Sequence, residues 1–341
     1  MNRPRKLLRA AVVATAAALL LAGCSANDAG NGDDAGSGSA AEPMTIKLSY
    51  VNPPTSIDGQ ILEEVAAAVE ERTDGEIVIE LYPSGQIGTT GDTAQQAANG
   101  EDIIAYMDAS IIAQLGAEDF GILGGPFLFA NADEANTFLE SEVFAEMAEQ
   151  AATDLGIRLL AFNWLDGPRH IWAKKPAPQP SDLEGLRFRT PPVDVWTETF
   201  SLLGAVPTEI ANTETYSALE QGVVDAAEGP INGTYALGWH EVANVATLTE
   251  HFRTLIGFGT SEVLWQRLTD EQREILQEEF IAGGVEAQKR YAAAIDETMA
   301  KMESESGVTF VEADIEAYQK ATRPFYDKYG ELLDRVRDAA K

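Results

Sequence analysis

Two α/β lobes in tandem are what this sequence predicts, and three observations lead there. Strand-like alternation and helix-like periodicity succeed one another through the first third of the chain. The same alternation restarts after Asn163. One helical pattern near the C-terminus is too long for a single lobe.

Ile46-Lys47-Leu48-Ser49-Tyr50-Val51 alternates and stops at Asn52-Pro53-Pro54, the mark of a strand ending in a loop. Ile61, Leu62, Val65 and Val69 recur at helical spacing until Thr73-Asp74-Gly75 breaks the pattern, and Glu76 to Tyr82 alternates as a second strand. A helix from Thr93 to Asn99 leads to a strand from Asp102 to Met107. Asn131 and Glu134 have capping-box spacing, at the head of a helix expected to run to Thr153. The second set has a strand at His170 to Ala173, a proline-rich bend at Pro176 to Pro180, and Ser181-x-x-Glu184 capping one helical turn. A strand at Leu186 to Thr190, helices at Val193 to Leu203 and Thr213 to Gln221, and a strand at Val223 to Ala227 complete it. Thr269-Asp270-Glu271-Gln272 then opens a pattern that runs through Ile275, Phe280, Val285, Tyr291, Ile295 and Met299 to Gly307. Such a helix would be about 50 Å long and should brace both lobes. Gly283-Gly284 in its middle predicts a bend or a close helix contact.

Ahead of these elements, Arg3, Arg5, Lys6 and Arg9 precede an apolar run from Ala10 to Leu21. The run is roughly 12 to 14 residues long, short of the roughly 20 that span a bilayer. It ends in Leu21-Ala22-Gly23-Cys24, so residues 1–23 read as a lipoprotein signal peptide whose removal leaves Cys24 to carry a lipid. Residues 24–43, small and polar with no aromatic, read as a flexible tether. Cys24 is the one cysteine, which leaves no disulfide and no thiolate for a metal or for catalysis. Lobe 1 is expected over 44–166 with part of 252–292, and lobe 2 over 167–251 with part of 293–341. The chain has 55 acidic and 24 basic residues; without the four bases of the leader, 20 bases face 55 acids, a formal charge of −35. That balance excludes nucleic acid as a partner and makes each base informative.

In Gly185-Leu186-Arg187-Phe188-Arg189-Thr190-Pro191-Pro192 the two arginines share one strand face. Arg189 sits at the carboxyl end, where open α/β sheets bind ligands, and a guanidinium held there presents two N–H groups to a carboxylate. A surface or interlobe salt bridge is the other reading that the strand allows. Arg169, delivered by the turn Asp166-Gly167-Pro168, is a second candidate near the lobe junction, with Glu228 and His251 as neighbours that could balance it. Taken alone, His251 reads first as an ordinary core histidine. Trp164, Trp172, Trp196 and Trp239 read first as core, although Trp196 lies one to two turns into a helix that follows Arg189, and Trp164, just ahead of the junction, is counted with the ligand contacts. His170, His240 and His251 are scattered and form no metal-ligand spacing. The sequence holds no Gly-x-Ser-x-Gly elbow, phosphate loop or His-Glu-x-x-His, and Gly257-Phe258-Gly259 is too short for a dinucleotide fingerprint, so no cofactor is expected, while the abundant Asp and Glu leave an enzyme with a carboxylate pair open.

At these residues the chain resembles the solute-binding proteins of tripartite ATP-independent periplasmic (TRAP) transporters, the dicarboxylate-binding family. The motifs that carry the resemblance are Leu81-Tyr82-Pro83-Ser84-Gly85-Gln86-Ile87-Gly88, Gly125-Pro126-Phe127-Leu128-Phe129, Gly185 to Pro191, Leu203-Gly204-Ala205-x-Pro207-Thr208, Glu214-x-Tyr216-x-Ala218-Leu219-x-x-Gly222-Val223-Val224-Asp225, Glu228-x-Pro230 and Leu248-Thr249-x-His251. The resemblance implies a two-lobe periplasmic-binding-protein-like fold with a hinge, in which Arg189 grips the ligand carboxylate and Arg169 faces the cleft. It implies polar contacts from Asn52, Asp108 and Asn212, with Glu228 and His251 supporting Arg169. Gly229 stands where many members place asparagine, which removes a side-chain amide from the expected pocket. The implied partners are a small organic acid, the membrane permease subunits, and the membrane itself through Cys24; the implied place is outside the cytoplasm. A receptor of an ATP-driven importer and an envelope hydrolase with a carboxylate pair are the alternatives.

Overall fold

The computed structural model describes residues 42–341. The expected signal peptide, Cys24 and nearly all of the tether lie outside them.

The first elements are β1 (Met44–Ser49), α1 (Ile57–Arg72), β2 (Ile77–Tyr82), α2 (Thr90–Ala98), β3 (Ile103–Asp108) and α3 (Ala109–Gln114), close to where alternation and periodicity placed them. Helix α1 shows why: the Ser56 hydroxyl accepts from the Gly59 N–H at 3.1 Å, Ile61, Leu62, Val65 and Val69 form the buried stripe, and Asp74 and Gly75 turn the chain out with φ of 48° and 78°. Next come α4 (Ala132–Leu139), α5 (Glu142–Leu155) and β4 (Ile157–Ala161). One helix was expected across α4 and α5. The chain breaks at Glu140 and Ser141 because the Ser141 hydroxyl accepts from Phe144 N–H and starts a new helix. At the head of α4, Asn131 accepts from Glu134 N–H at 2.9 Å, while the Glu134 carboxylate accepts from Ala130 N–H rather than closing the box.

The chain then runs through β5 (Arg169–Ala173), β6 (Arg187–Thr190), α6 (Asp194–Leu202), β7 (Val206–Glu209), α7 (Thr215–Glu220), β8 (Ala226–Pro230), α8 (Ile231–Ala236), α9 (Trp239–Val242) and β9 (Val245–Phe252). Two caps differ from expectation. The single turn before β6 begins at Pro180 and is closed by Gln179 and Asp182, not Ser181 and Glu184, and a 3-10 turn at Asn212–Glu214 precedes α7. Strand β8 also lies three residues beyond the expected start at Val223. The last elements are β10 (Ile256–Ser261), α10 (Glu262–Arg267), α11 (Asp270–Ser306), β11 (Thr309–Glu312), α12 (Ile315–Thr322) and α13 (Glu331–Ala339).

These strands form two mixed sheets, ordered β2-β1-β3-β10-β4 and β11-β9-β5-β8-β6-β7. The chain passes from the first sheet to the second after β4, returns between β9 and β10, and crosses again along α11. Helix α11 has 37 residues, about 55 Å at the usual rise, and Thr269 and Gln272 close a full capping box at its start. It packs on α1 and β4 beside the first sheet and on α8 and α9 beside the second. The glycine pair makes a close contact inside an unbroken helix: a Cβ on Gly283 would lie 2.7 Å from the Trp164 ring, and one on Gly284 only 2.3 Å from Asn163 Oδ1.

Candidate functional site

Strand β6 separates its two arginines by environment. Phe188 between them is fully buried and stacks on Phe200 with ring centroids 3.8 Å apart, which fixes the strand against α6. Arg187 keeps half of its side chain in solvent and closes a two-pronged pair on Asp225, through Nε at 2.9 Å and Nη2 at 2.6 Å. The surface salt bridge that the sequence allowed is therefore Arg187's. Arg189 is only 2% exposed; its Nε donates to the Ile210 carbonyl at 2.9 Å, and its guanidinium lies 5.6 Å from the centre of the Trp239 ring. Among the described residues no carboxylate forms an ion pair with it. Burial lowers its pKa to about 10, opposed by the negative charge of Glu228 and helped by the positive charge of Arg169, so it stays charged at neutral pH.

Arg169 opens β5 opposite Pro230 of β8, which puts Glu228, two residues earlier on β8, on the same face. Its Nε and Nη2 donate to the two Glu228 oxygens at 2.6 and 2.8 Å, and Nη1 stands 3.6 Å from Asp166. Glu228 also accepts from the Trp196 indole at 2.9 Å. Burial pushes the Glu228 carboxyl up, but the Arg169 charge and hydrogen bonds outweigh it and hold the group well below the usual range. Glu228 lies between Arg169 and His251 as expected, but of the two only Arg169 hydrogen-bonds to it. The His251 Nε2 is 3.6 Å from Glu228, past hydrogen-bond reach, its Nδ1 pairs with the Thr249 hydroxyl at 2.7 Å, and burial lowers its pKa.

Around these arginines lies a cavity of about 110 Å³, lined by Asn52, Tyr106, Asp108, Asp166, Arg169, Arg189, Trp196, Asn212, Thr234, Trp239, Thr254 and Tyr291 among others. A larger recess of about 630 Å³ shares Val51, Thr90, Asp108, Arg189, Pro191 and Asn212 with it, so the two form one cleft with walls from both sheets. Asn52, in the loop after β1, donates to Asp58, which also accepts from the Tyr291 hydroxyl of α11. Asp108 ends β3 and caps α3, accepting from Ser110 N–H at 2.8 Å and Ile111 N–H at 3.2 Å. Burial raises the pKa of Asp108, and raises that of Asp166 to about 7 against the pull of Arg169. The negative charges of Asp58 and Glu228 add to the rise at Asp166.

Two expected contacts are absent from the cleft lining. Trp164 is buried in the first core, donates its indole N–H to the Phe280 carbonyl at 2.9 Å and packs edge-on against Phe258, so the close approach of α11 holds it away from the cavity. Gly229 is enclosed in β8, where a Cβ would lie 2.9 Å from the Thr234 hydroxyl and 3.3 Å from the Trp239 ring; those two side chains occupy the space an amide would take. Asp166, Tyr106, Thr234, Thr254, Trp239 and Tyr291 line the cavity without having been singled out as contacts. Asp166 alone had a usable signal, three residues before Arg169 in the same turn.

Two sheets joined by three crossings, with a buried cation in the cleft between them, define a solute-binding protein. The chain belongs to the bacterial extracellular solute-binding proteins of family 7, whose model matches residues 48–332. It is a TRAP transporter solute-binding protein and not an enzyme, which sets aside both the ATP-driven importer and the envelope hydrolase. A solute-binding protein of Roseobacter denitrificans is 27% identical over 85% of this chain and 88% of its own length. A TRAP periplasmic solute-binding protein of Fusobacterium nucleatum, solved with bound sn-glycerol-3-phosphate, has a TM-score of 0.83 at 31% identity, covering 87% of this chain and 96% of that one. Another from Ochrobacterium anthropi, solved with bound L-fuconate, has a TM-score of 0.83 at 28% identity, covering 88% of this chain and all of that one.

Proposed function

We propose that this protein captures a small organic acid by its acidic group on Arg189, closes two lobes around it, and hands it to a membrane permease. One observation carries the reading: a buried guanidinium faces the cleft with a single carbonyl as its hydrogen-bond partner, and a buried charge of this kind needs an anion. Arg169, already engaged by Glu228 and Asp166, shapes the wall beside the acid; Asn52, Asp108 and Asn212 supply polar contacts. Micromolar affinity needs about 8 kcal/mol and a charge-assisted hydrogen bond contributes about 1.5 to 3, so closure and burial of the ligand's carbon frame must supply the rest. The moving bodies are 44–166 with part of 252–292 and 167–251 with part of 293–341, and the segments between the sheets and α11 take up the motion.

Isothermal titration against a library of acids is the test. Arg189→Ala should weaken the best ligand by about a hundredfold or more, as expected when a buried charge pair is broken, while the Tm stays within a few degrees. Binding that survives the substitution removes Arg189 from this role.

The protein works outside the cytoplasm, tethered by a lipid on Cys24; the support is the run Leu21-Ala22-Gly23-Cys24 after a basic and apolar leader. Mass spectrometry of the protein expressed in a bacterial envelope should find Cys24 as an acylated N-terminus, and an N-terminus elsewhere contradicts the anchor.

A further inference from the structure

The inner cavity contains more than Arg189. Three buried polar atoms of residues on its wall have no hydrogen-bond partner in the protein: Asp166 Oδ1, Thr234 Oγ1 and Thr254 Oγ1. They come from the segment between β4 and β5, from α8, and from the segment between β9 and β10, so they belong to no single local motif. Thr234 is 1% and Thr254 6% exposed. Buried polar atoms without partners are costly, and groups lining a cavity in this state are completed by what enters it.

The charges restrict what can enter. Arg169 is paired with Glu228 and Asp166, which leaves Arg189 as the cation of this cavity that a ligand's acidic group can take. A second acidic group would meet Asp108 and Asp166 instead. It would also bring only acceptors, whereas the Asp166 oxygen in its ionised form accepts and the threonine hydroxyls take either. No group of three or more acidic, histidine or cysteine side chains among the described residues is disposed to hold a metal ion, so the acids of this wall are not gathered as a cation site. A plain hydrocarbon tail would leave all three atoms unmet.

Resting on the reading of Arg189 above, we infer that the ligand is a polyhydroxylated acid with one acidic group, its hydroxyls meeting Asp166, Thr234 and Thr254, and that dicarboxylates are disfavoured. A sugar-derived monocarboxylate and a polyol phosphate both carry this chemistry.

The test is a calorimetric panel on the full chain: six-carbon aldonates of several configurations, sn-glycerol 3-phosphate, the corresponding aldarates with a second carboxylate, succinate and hexanoate. At least one aldonate or the polyol phosphate should bind about tenfold or more tighter than any two-acid compound or hexanoate, and the stronger of the two shows which acidic group is preferred. Thr234→Val, or Thr254→Val if the first variant melts early, should weaken that ligand by about tenfold and leave hexanoate unchanged, the loss of one hydrogen bond. An aldarate, succinate or hexanoate that binds as tightly as every hydroxylated mono-acid overturns the inference. If such a ligand is lost in Arg189→Ala, only the hydroxyl assignment falls; if binding survives that variant, or no acid binds at all, the reading of Arg189 falls with it.

Discussion

Arg187 ends on Asp225 in solvent, and Arg189, two residues along the same strand, is buried with a backbone carbonyl as its partner. Alternation could place both on one face, and the proline pair could mark which of them stands at the strand's end; neither could show which had a carboxylate waiting. Asp225 is 38 residues away, and such a pairing becomes visible only once β6 and β8 are neighbours. Asp166 illustrates the same limit. It looked like a turn residue, yet its folded pKa of about 7 exceeds its ordinary value of 3.8, first because it is buried and then because Asp58 and Glu228 lie near. Between those two values the folded protein holds a proton that the unfolded chain releases, so Asp166 lowers stability as pH rises through this window, with the full penalty above pH 7. Asp166→Asn should therefore gain stability relative to the parent by about 2 kcal/mol between pH 5 and pH 8. Urea unfolding of both proteins at the two pH values checks this, and a difference that does not change with pH contradicts it.

At the scale of elements, periodicity located what it could measure. The early strands and α1 lie where expected because each has one wet face and one dry face. Strand β8 was expected at Val223 to Ala227, whereas the buried run between β5 and β6 is Ala226–Pro230. Val223, taken as its first residue, is 47% exposed in the turn after α7. Proline is tolerated at the last residue of β8, and glycine is required next to it by Trp239 and Thr234. Strand β10 went unread: Gly257 and Gly259 interrupt its apolar pattern. A Cβ on Gly257 would meet the Ala161 carbonyl at 2.0 Å, so the glycine belongs to a tightly packed central strand and not to a nucleotide loop. Gly283 and Gly284 repeat the lesson in a helix. Each costs about 1 kcal/mol of helix propensity relative to alanine; what that cost permits is the approach of α11 to Trp164 and Asn163, which draws Trp164 into the core and out of the cleft.

For the whole molecule, two lobes and a bracing helix were legible because they follow from local pattern and length. The order β2-β1-β3-β10-β4 was not, since β10 is inserted from more than a hundred residues downstream and nothing local announces it. That insertion, with the passage from β4 to β5, brings the Asp166 and Thr254 segments into the cleft between the sheets. The resemblance supplied most of the candidate site; Trp164, counted for its place ahead of the lobe junction, and Gly229, already a departure from the family pattern, stay out of the cleft lining because of packing particular to this chain. The large negative charge opposes an incoming anion only within the range that salt leaves unscreened, about 10 Å at 0.1 M. Inside the cleft the local charges decide, and the account rests on one of them. A crystal structure of the protein with its tightest acid is the most direct test. Oxygens of the acidic group should lie within about 3 Å of Arg189 Nη1 and Nη2, in a cleft closed by residues of both sheets. An acid bound elsewhere, with the Arg189 guanidinium making no contact to it, contradicts the account.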